Sequence, residues 1–136
     1  MMNPMSGRQT FRKPERLVSA IAFRKLLRDG RSIHRPPIRL VFAALPLPNP
    51  VPAQVAFSVP KRVFKRAVDR NRIKRLMREV YRKNKNTLYP LLQNTGKQWA
   101  LLFIYNGRTV PSFNEVQEKL TLTLRQLDKD LQPAVG

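Results

Sequence analysis

The residues best suited to chemistry in this sequence are cations, and they concentrate in one segment. Between Lys61 and Lys85 there are twelve lysines and arginines against Asp69 and Glu79, which accounts for more than half of the formal net charge of +19. Arginine presents a planar fork of donors that matches phosphate oxygens, and lysine presents a mobile point charge. Self-repulsion of this size opposes compaction, so we infer that a polyanion such as RNA neutralises it. The alternative is a solvated helix face, but ordinary surfaces mix both signs of charge.

The centre of the basic segment predicts an amphipathic helix. At about 100° per residue, one face carries the apolar residues Ile73, Leu76, Met77 and Val80. Polar residues lie on both sides of this seam: Asn71, Lys74, Arg78 and Arg82 on one side, and Arg72 and Arg75 on the other. One helix can therefore dock by its seam and present cations on two sides. Two structural alternatives stay open, namely that the Asn71 amide braces its own backbone and that Arg78 or Arg82 pairs with Glu79.

The segments around this helix predict a mixture of helices and strands. We expect a helix from Ser19 to Arg28 ended by Gly30, strands at 38–44, 54–60 and 99–105, and a last helix opened by a capping box of Ser112 and Glu115. The last helix has one buried stripe, formed by Val116, Leu120, Leu124, Leu127 and Leu131. Strand, helix and strand in succession predict an α+β fold, a small two-layer α/β sandwich with a roughly four-stranded mixed sheet packed with helices.

Composition and length predict one domain. We expect a basic, disordered arm at 1–15, a single RNA-binding domain at 16–132 and a tail at 133–136. The sequence has no cysteine, so it has no disulfide framework and no thiolate metal site. The first thirteen residues are polar and basic, and we expect neither a signal peptide nor a membrane span, which places the protein in the cytoplasm.

A self-contained nuclease site is absent from the pattern. The one histidine is His34, and the eight acidic residues are scattered without a paired or metal-binding spacing. A protein nuclease needs clustered carboxylates or a general base to hold metal and water. The sequence therefore predicts no catalytic residue and no metal site in the protein.

The basic helix also resembles a known family. Residues 67–79, with their Arg-Asn-Arg core, resemble the hallmark helix of the protein subunit of bacterial ribonuclease P nearly residue for residue. Residues 57–62 are similar to the strand and basic pair that precede that helix, and Arg16-Leu17, Phe23 and Gly30 have the family's spacing. The resemblance extends from about residue 16 to residue 127.

This resemblance implies a function in a ribonucleoprotein. Members of the family form a complex with a catalytic RNA that removes the 5′ leader from precursor tRNA, using Mg2+ held mainly by the RNA. The protein would be the non-catalytic subunit, with the catalytic RNA and precursor tRNA as partners and no obligate protein partner. The family fold also implies a left-handed crossover between the strands on either side of the basic helix, although the general rule favours a right-handed one.

The resemblance also assigns residues. The RNA-binding set is Lys61, Arg62, Lys65, Arg66, Arg70, Asn71, Arg72, Lys74, Arg75, Arg78 and Arg82. The cleft that guides the single-stranded leader would contain Phe23, Phe42, Phe57, Lys74 and Arg78.

Two residues depart from the family pattern. Leu27 stands where a second cleft aromatic is often found, and Phe64 stands where many members have a glycine, in a loop one residue longer. For Phe23, Phe42 and Phe57 the alternative is burial in the core, which is the commonest fate of aromatic side chains.

Proteins with other functions can have a similar positive charge, but they do not require the Arg-Asn-Arg motif. A ribosomal or other structural RNA-binding protein with no processing role would be equally basic. A DNA-binding helix would need a helix-turn-helix spacing that is not recognisable here. A membrane-surface helix would need the apolar seam that the core requires.

Overall fold

Helices and strands alternate along the chain, and the structure, a computed structural model, describes residues 13–131. The elements are a helical turn at Lys13–Glu15, α1 (Ala20–Asp29), β1 (Arg31–Arg35), β2 (Ile38–Ala44), β3 (Ala53–Ser58), α2 (Ala67–Gln93), β4 (Trp99–Tyr105) and α3 (Phe113–Leu131). The predicted strands at 38–44 and 99–105 are confirmed with these bounds. Strand β1 was not predicted, and α2 continues well beyond the predicted motif.

The four strands form one mixed sheet in the order β1-β2-β4-β3. Strand β2 pairs antiparallel with β1 and with β4, whereas β3 and β4 are parallel. The chain therefore crosses over from β3 through α2 to β4. The predicted α+β fold with a four-stranded mixed sheet is confirmed, and the left hand of the crossover stays a prediction.

The two faces of the sheet carry different helices. On one face, α2 and α3 pack on a core that includes Phe42, Leu101 and Phe103. On the other face, Leu26 of α1 packs with Val41 and neighbouring small and apolar residues. Successive strand residues point to opposite faces, so the sheet has helices on both sides instead of the single helical layer of the predicted sandwich.

Two helix starts are capped by the serines that their sequences predict, but the second bond of the Ser112–Glu115 capping box, from the Ser112 N–H to the Glu115 carboxylate, is not formed among residues 13–131. Ser19 precedes α1, and its hydroxyl accepts a hydrogen bond from the Ala22 N–H at 3.2 Å. Ser112 precedes α3, and its hydroxyl accepts from the Glu115 N–H at 3.1 Å. These bonds satisfy N–H groups that have no partner within the first turn of a helix.

The predicted boundary between arm and domain needs correction. Glu15 belongs to the helical turn and is only 5% exposed. Its carboxylate forms an ion pair with Lys85 of α2, which draws the end of the predicted arm into the folded domain. Residues 1–12 of the arm and residues 132–136, which include the tail, lie outside the described residues.

Gly30 is required at the turn between α1 and β1 because of space. Its backbone φ of −72° suits any residue, but a Cβ at this position would lie 2.3 Å from the Leu26 carbonyl oxygen and 2.8 Å from Val41 Cγ1. We expect Gly30→Ala to lower the free energy of unfolding by about 1–3 kcal/mol, the usual effect of overpacking. Urea denaturation would measure this. Ala44→Ser, which adds one atom at an exposed strand end, is the control, and equal stability of the two variants would contradict the explanation.

Candidate nucleic-acid interface

Helix α2 docks by the predicted apolar seam. Ile73 and Met77 are fully buried and Val80 is 1% exposed, while Leu76 is half-buried and packs against the same core. Apart from Ala67, the exposed Val68 and the buried Tyr81, the rest of the helix circumference between residues 67 and 83 is polar. The seam therefore fixes the helix and leaves its cations at the surface.

Most of the predicted RNA-binding residues are accessible. The exposed members are Lys61, Arg62, Lys65, Arg66, Asn71, Arg72 and Arg75, and the half-buried members are Arg70, Lys74, Arg78 and Arg82. Asn71 makes no hydrogen bond to its own helix among residues 13–131, so the bracing alternative is not observed. Its amide is free to donate and accept at once.

Arg70 has a different environment from the rest of this set. Its guanidinium donates from Nη1 to the carbonyl oxygens of Phe64 at 2.7 Å and Lys65 at 2.9 Å. Phe64 is 6% exposed and its ring centroid lies 5.9 Å from that of Tyr105. Arg70 thus braces the loop before α2 from within the protein, and the phenylalanine that replaces a glycine of the family anchors that loop in the core.

The ion-pair alternative is confirmed for Arg82 and not for Arg78. Arg82 Nε donates to Glu79 Oε2 at 3.2 Å, and the same two side chains form a second hydrogen bond. This bond lowers the pKa of the Glu79 carboxyl. The guanidinium carbon of Arg78 lies 6.0 Å from the centre of the Phe57 ring, and Arg78 forms no ion pair among residues 13–131.

Three guanidinium groups concentrate positive charge near Arg78. Burial lowers the pKa of Arg78, and the charges of Arg16 and Arg75 lower it further. Like charges raise each other's free energy at short range. An anion bound near Arg78 would offset this repulsion.

The predicted cleft aromatics do not share one surface. Phe42 is 1% exposed and lies inside the core beneath α2 and α3, so its inclusion in an open cleft was wrong. Phe57 is half-buried on the same face, stacked on Phe103 with ring centroids 5.7 Å apart. Phe23 belongs to α1 and is half-buried on the opposite face, where it packs against the cluster around Leu26. Within the predicted cleft, Arg78 lies over the Phe57 ring, and Lys74 has no described side-chain partner among residues 13–131.

The α1 face retains an accessible aromatic surface around Phe23. Half-buried Ala56 and Ile104 pack against the same small cluster. Leu27, one turn after Phe23, is 64% exposed. This position can therefore present a side chain to a ligand, although it carries no aromatic ring.

One accessible arginine was missed at the sequence level. Arg108 follows β4 and lines a cavity of about 330 Å³ together with Arg62 and Asn106. Parallel strands end at the same edge of a sheet, so the loops after β3 and β4 are brought together. The sequence signal that could have identified Arg108 is a basic residue just after a buried strand.

The acidic residues and His34 are not grouped as a metal site in the described part of the chain. His34 is exposed on β1. Within residues 13–131, no three histidine, aspartate or glutamate side chains are grouped so that they could hold a metal ion. None of the helices described here has the length and apolar content needed to cross a membrane.

Comparison with known sequences gives a family match over most of the chain. The sequence model of the family Ribonuclease P matches residues 11–128. The Ribonuclease P protein component of Porphyromonas gingivalis is 31% identical over 112 residues, which cover 82% of each protein. That of Chlorobaculum tepidum is 43% identical over 83 residues, 57% of this chain and 54% of the relative.

Solved structures show the same fold. The RNase P protein of Staphylococcus aureus superposes with a TM-score of 0.68 and 19% identity, covering 85% of this chain and 96% of that one. The RNase P protein of Thermotoga maritima gives a TM-score of 0.63 and 23% identity, covering 82% and 96%.

Proposed function

Because this chain belongs to the ribonuclease P protein family, we propose that it binds the catalytic RNA of that ribonucleoprotein endonuclease and the 5′ leader of precursor tRNA. An RNA partner follows from the family. The observation that carries the finer assignment is the arrangement of α2, whose buried seam leaves Asn71, Arg72 and Arg75 exposed along a helix docked firmly on the sheet. Rigid placement reduces the entropy lost when these side chains bind phosphates.

In this proposal the protein performs no bond cleavage. The RNA subunit holds most of the Mg2+ and supplies the reacting groups, and hydrolysis removes the leader to give the mature 5′ end. The exposed guanidinium and amide groups of α2 bind phosphate and sugar oxygens of the RNA. Their charge neutralises phosphate repulsion, so we expect the protein to matter most at low Mg2+ concentration, where free cations neutralise the RNA least.

The leader is assigned to the surface around Phe23. Single strands bind where an aromatic ring stacks on a base and nearby cations track the phosphates. Phe23 is the accessible aromatic of the α1 face, and the basic loop at Lys61 and Arg62 follows β3. Phe42 has no part in this surface because its ring is buried.

We expect Phe23→Ala to weaken binding of precursor tRNA by about tenfold or more and to leave mature tRNA binding unchanged, since base stacking contributes about 1–3 kcal/mol. Equilibrium binding of both tRNAs to the reconstituted holoenzyme would measure this. Leu27→Phe places a second ring one turn away and is expected to change the ratio in the opposite direction. Equal affinities of the wild-type holoenzyme for the two tRNAs would refute the leader assignment.

Reconstituted cleavage tests the function as a whole. The cognate catalytic RNA would be incubated with precursor tRNA at low Mg2+, with and without the protein, and the protein alone would serve as a control. We expect leader removal to require both components. Tight RNA binding without stimulation would favour a structural RNA-binding protein with no processing role, and cleavage by the protein alone would overturn the non-catalytic assignment.

A further inference from the structure

A buried ion pair joins two distant parts of the chain. Lys85 Nζ lies 2.7 Å from Glu15 Oε1, and the two residues are separated by 70 positions. Glu15 is 5% exposed and Lys85 is 8% exposed. The Tyr89 hydroxyl donates to the same carboxylate oxygen at 2.7 Å, and the Tyr81 hydroxyl donates to Tyr89 at 3.1 Å.

The two tyrosines are fixed as donors in this cluster. Burial raises the pKa of Tyr81 and of Tyr89 above the ordinary value, so both phenols remain protonated. One carboxylate therefore receives an ammonium group and a phenol inside the protein. Burying two charges has a large desolvation cost, so a buried ion pair does not by itself imply added stability.

The Glu15–Lys85 pair holds the segment from Pro14 to Leu17 against the edge strand β3. The Gln54 side chain donates to the Pro14 carbonyl at 2.9 Å, and the Leu17 N–H donates to the Val55 carbonyl at 3.0 Å. Arg16 pairs with Val55 in a parallel bridge. Together these contacts fasten the segment to the sheet and to α2.

The bridge directs Arg16 toward α2. Partner residues across a bridge point to the same face of a sheet, so Arg16 extends to the side on which Val55 faces the α2 core. Phe57 is two residues further along β3, on that same face, and carries Arg78 over its ring. The influence of Arg16 and Arg75 on the pKa of Arg78 agrees with this proximity.

We propose that Arg16, Arg75 and Arg78 form one phosphate-binding site for an RNA strand, and that the buried Glu15–Lys85 pair is the positioning element that brings Arg16 to it. The proposal rests on the RNA-binding function proposed above and adds a residue outside the basic helix. Arg16 and Arg75 are exposed and Arg78 is half-buried, so all three groups are accessible from the surface.

A phosphodiester is the ligand that we assign to this site, because RNA is the proposed partner. Several guanidinium groups can each donate hydrogen bonds to the two non-bridging oxygens of one phosphate or to neighbouring phosphates. Two segments of the protein contribute, one bridged to the sheet edge and one in helix α2, so the site suits an RNA backbone that runs across their junction.

Substitution of Arg16 tests the site directly. We expect Arg16→Gln to weaken binding of the cognate ribonuclease P RNA by about tenfold, the effect of losing one charge-assisted hydrogen bond. The slope of log affinity against log salt should fall by about 0.7–0.9 if one phosphate contact is lost. Arg125→Gln removes the same charge from an exposed position on α3 and is the matched control. Equal effects of the two variants on binding of the RNA subunit and on the preference of the holoenzyme for precursor tRNA would overturn the site.

The positioning role has its own test in a double-mutant cycle. Glu15→Gln keeps the shape of the side chain but removes its charge. We expect it to weaken RNA binding as much as Arg16→Gln does, and we expect the combined variant to be no worse than either, because Glu15 acts through Arg16. Additive losses would overturn this role. If Glu15→Gln lowers the melting temperature too far, Tyr89→Phe removes one bond to the carboxylate and repeats the cycle with less damage.

A double substitution can restore the docking of the Pro14–Leu17 segment without the ion pair. Glu15→Leu combined with Lys85→Met replaces the ion pair with apolar side chains, which can pack as well as a buried pair. We expect this variant to regain wild-type RNA affinity as long as Arg16 is present. A stable double variant that binds RNA as weakly as Glu15→Gln would contradict a positioning role.

Two RNA sources can supply the phosphate, and the assay separates them. A loss seen with the RNA subunit alone assigns the site to that RNA. A loss seen only in the preference of the holoenzyme for precursor over mature tRNA assigns it to the leader. Failure of the proposed function would appear differently, as absence of RNA binding and cleavage with the wild-type protein, whereas failure of this inference leaves the wild type active and Arg16→Gln indistinguishable from Arg125→Gln.

Discussion

An Arg72→Ala/Arg75→Ala double variant is expected to bind the ribonuclease P RNA about two to four orders of magnitude more weakly than the wild type, with no loss in the free energy of unfolding. Both side chains are exposed, and neither forms an ion pair among residues 13–131. Hydrogen bonds to charged groups contribute about 1.5–3 kcal/mol each, and each tenfold change in affinity corresponds to about 1.4 kcal/mol. Electrophoretic or filter-binding titrations at fixed salt would give the affinity.

The same substitutions should leave the fold intact or improve its stability. Removing two cations reduces the self-repulsion of a chain with a formal net charge of +19. Urea denaturation of the free protein would show this. Arg125→Ala/Lys129→Ala removes the same charge from exposed positions on α3 and is the control. If the control loses as much affinity, the binding depends on net charge and not on the face of α2.

The fold was largely predictable because its elements have strong local signals. Strand β4 is continuously apolar from Trp99 to Phe103, and the period of Ile73, Met77 and Val80 defines the docking face of α2. Each of these patterns reports burial in the element itself. No knowledge of which elements meet is required to interpret them.

Helix α2 shows where local signals fail. Its second half contains a polar run around Lys85 and then Pro90, which lacks an N–H and normally ends a helix. The structure continues the helix to Gln93 because Tyr81, Leu88 and Leu92 extend the buried stripe. Lys85 occupies a position within that stripe, and its burial depends on Glu15, a partner that periodicity within α2 does not indicate.

The candidate site was predictable only where a local pattern determines exposure. Exposure of Arg72 and Arg75 follows from the helical period, but the assignment of Phe42 required knowing which face of the sheet α1 covers. A single alternation places Phe42 on one face and Val41 on the other. Arg16 could not be grouped with α2 from sequence, because a β-bridge to Val55 places it there.

Lys85→Ala is expected to have the largest effect on stability, a loss of about 3–5 kcal/mol in the free energy of unfolding. The substitution leaves the Glu15 carboxylate buried without the ammonium group that lies 2.7 Å from it in the wild type, and removing one partner of a buried pair has a cost of this size. A small domain has a total stability of only about 5–15 kcal/mol. Urea denaturation with added sulfate, which strengthens the folded state, keeps the variant measurable.

The comparison with Glu15→Leu/Lys85→Met separates charge from packing. Apolar residues of similar volume often replace a buried ion pair at no cost, so this double variant is expected to be as stable as the wild type, although each single change is destabilising. Equal destabilisation by Lys85→Ala and by the double variant would mean that side-chain volume, and not the unpaired carboxylate, is responsible. Recovery in the double variant would show that the unpaired carboxylate causes the loss in Lys85→Ala, since apolar side chains supply the same stability without a buried charge.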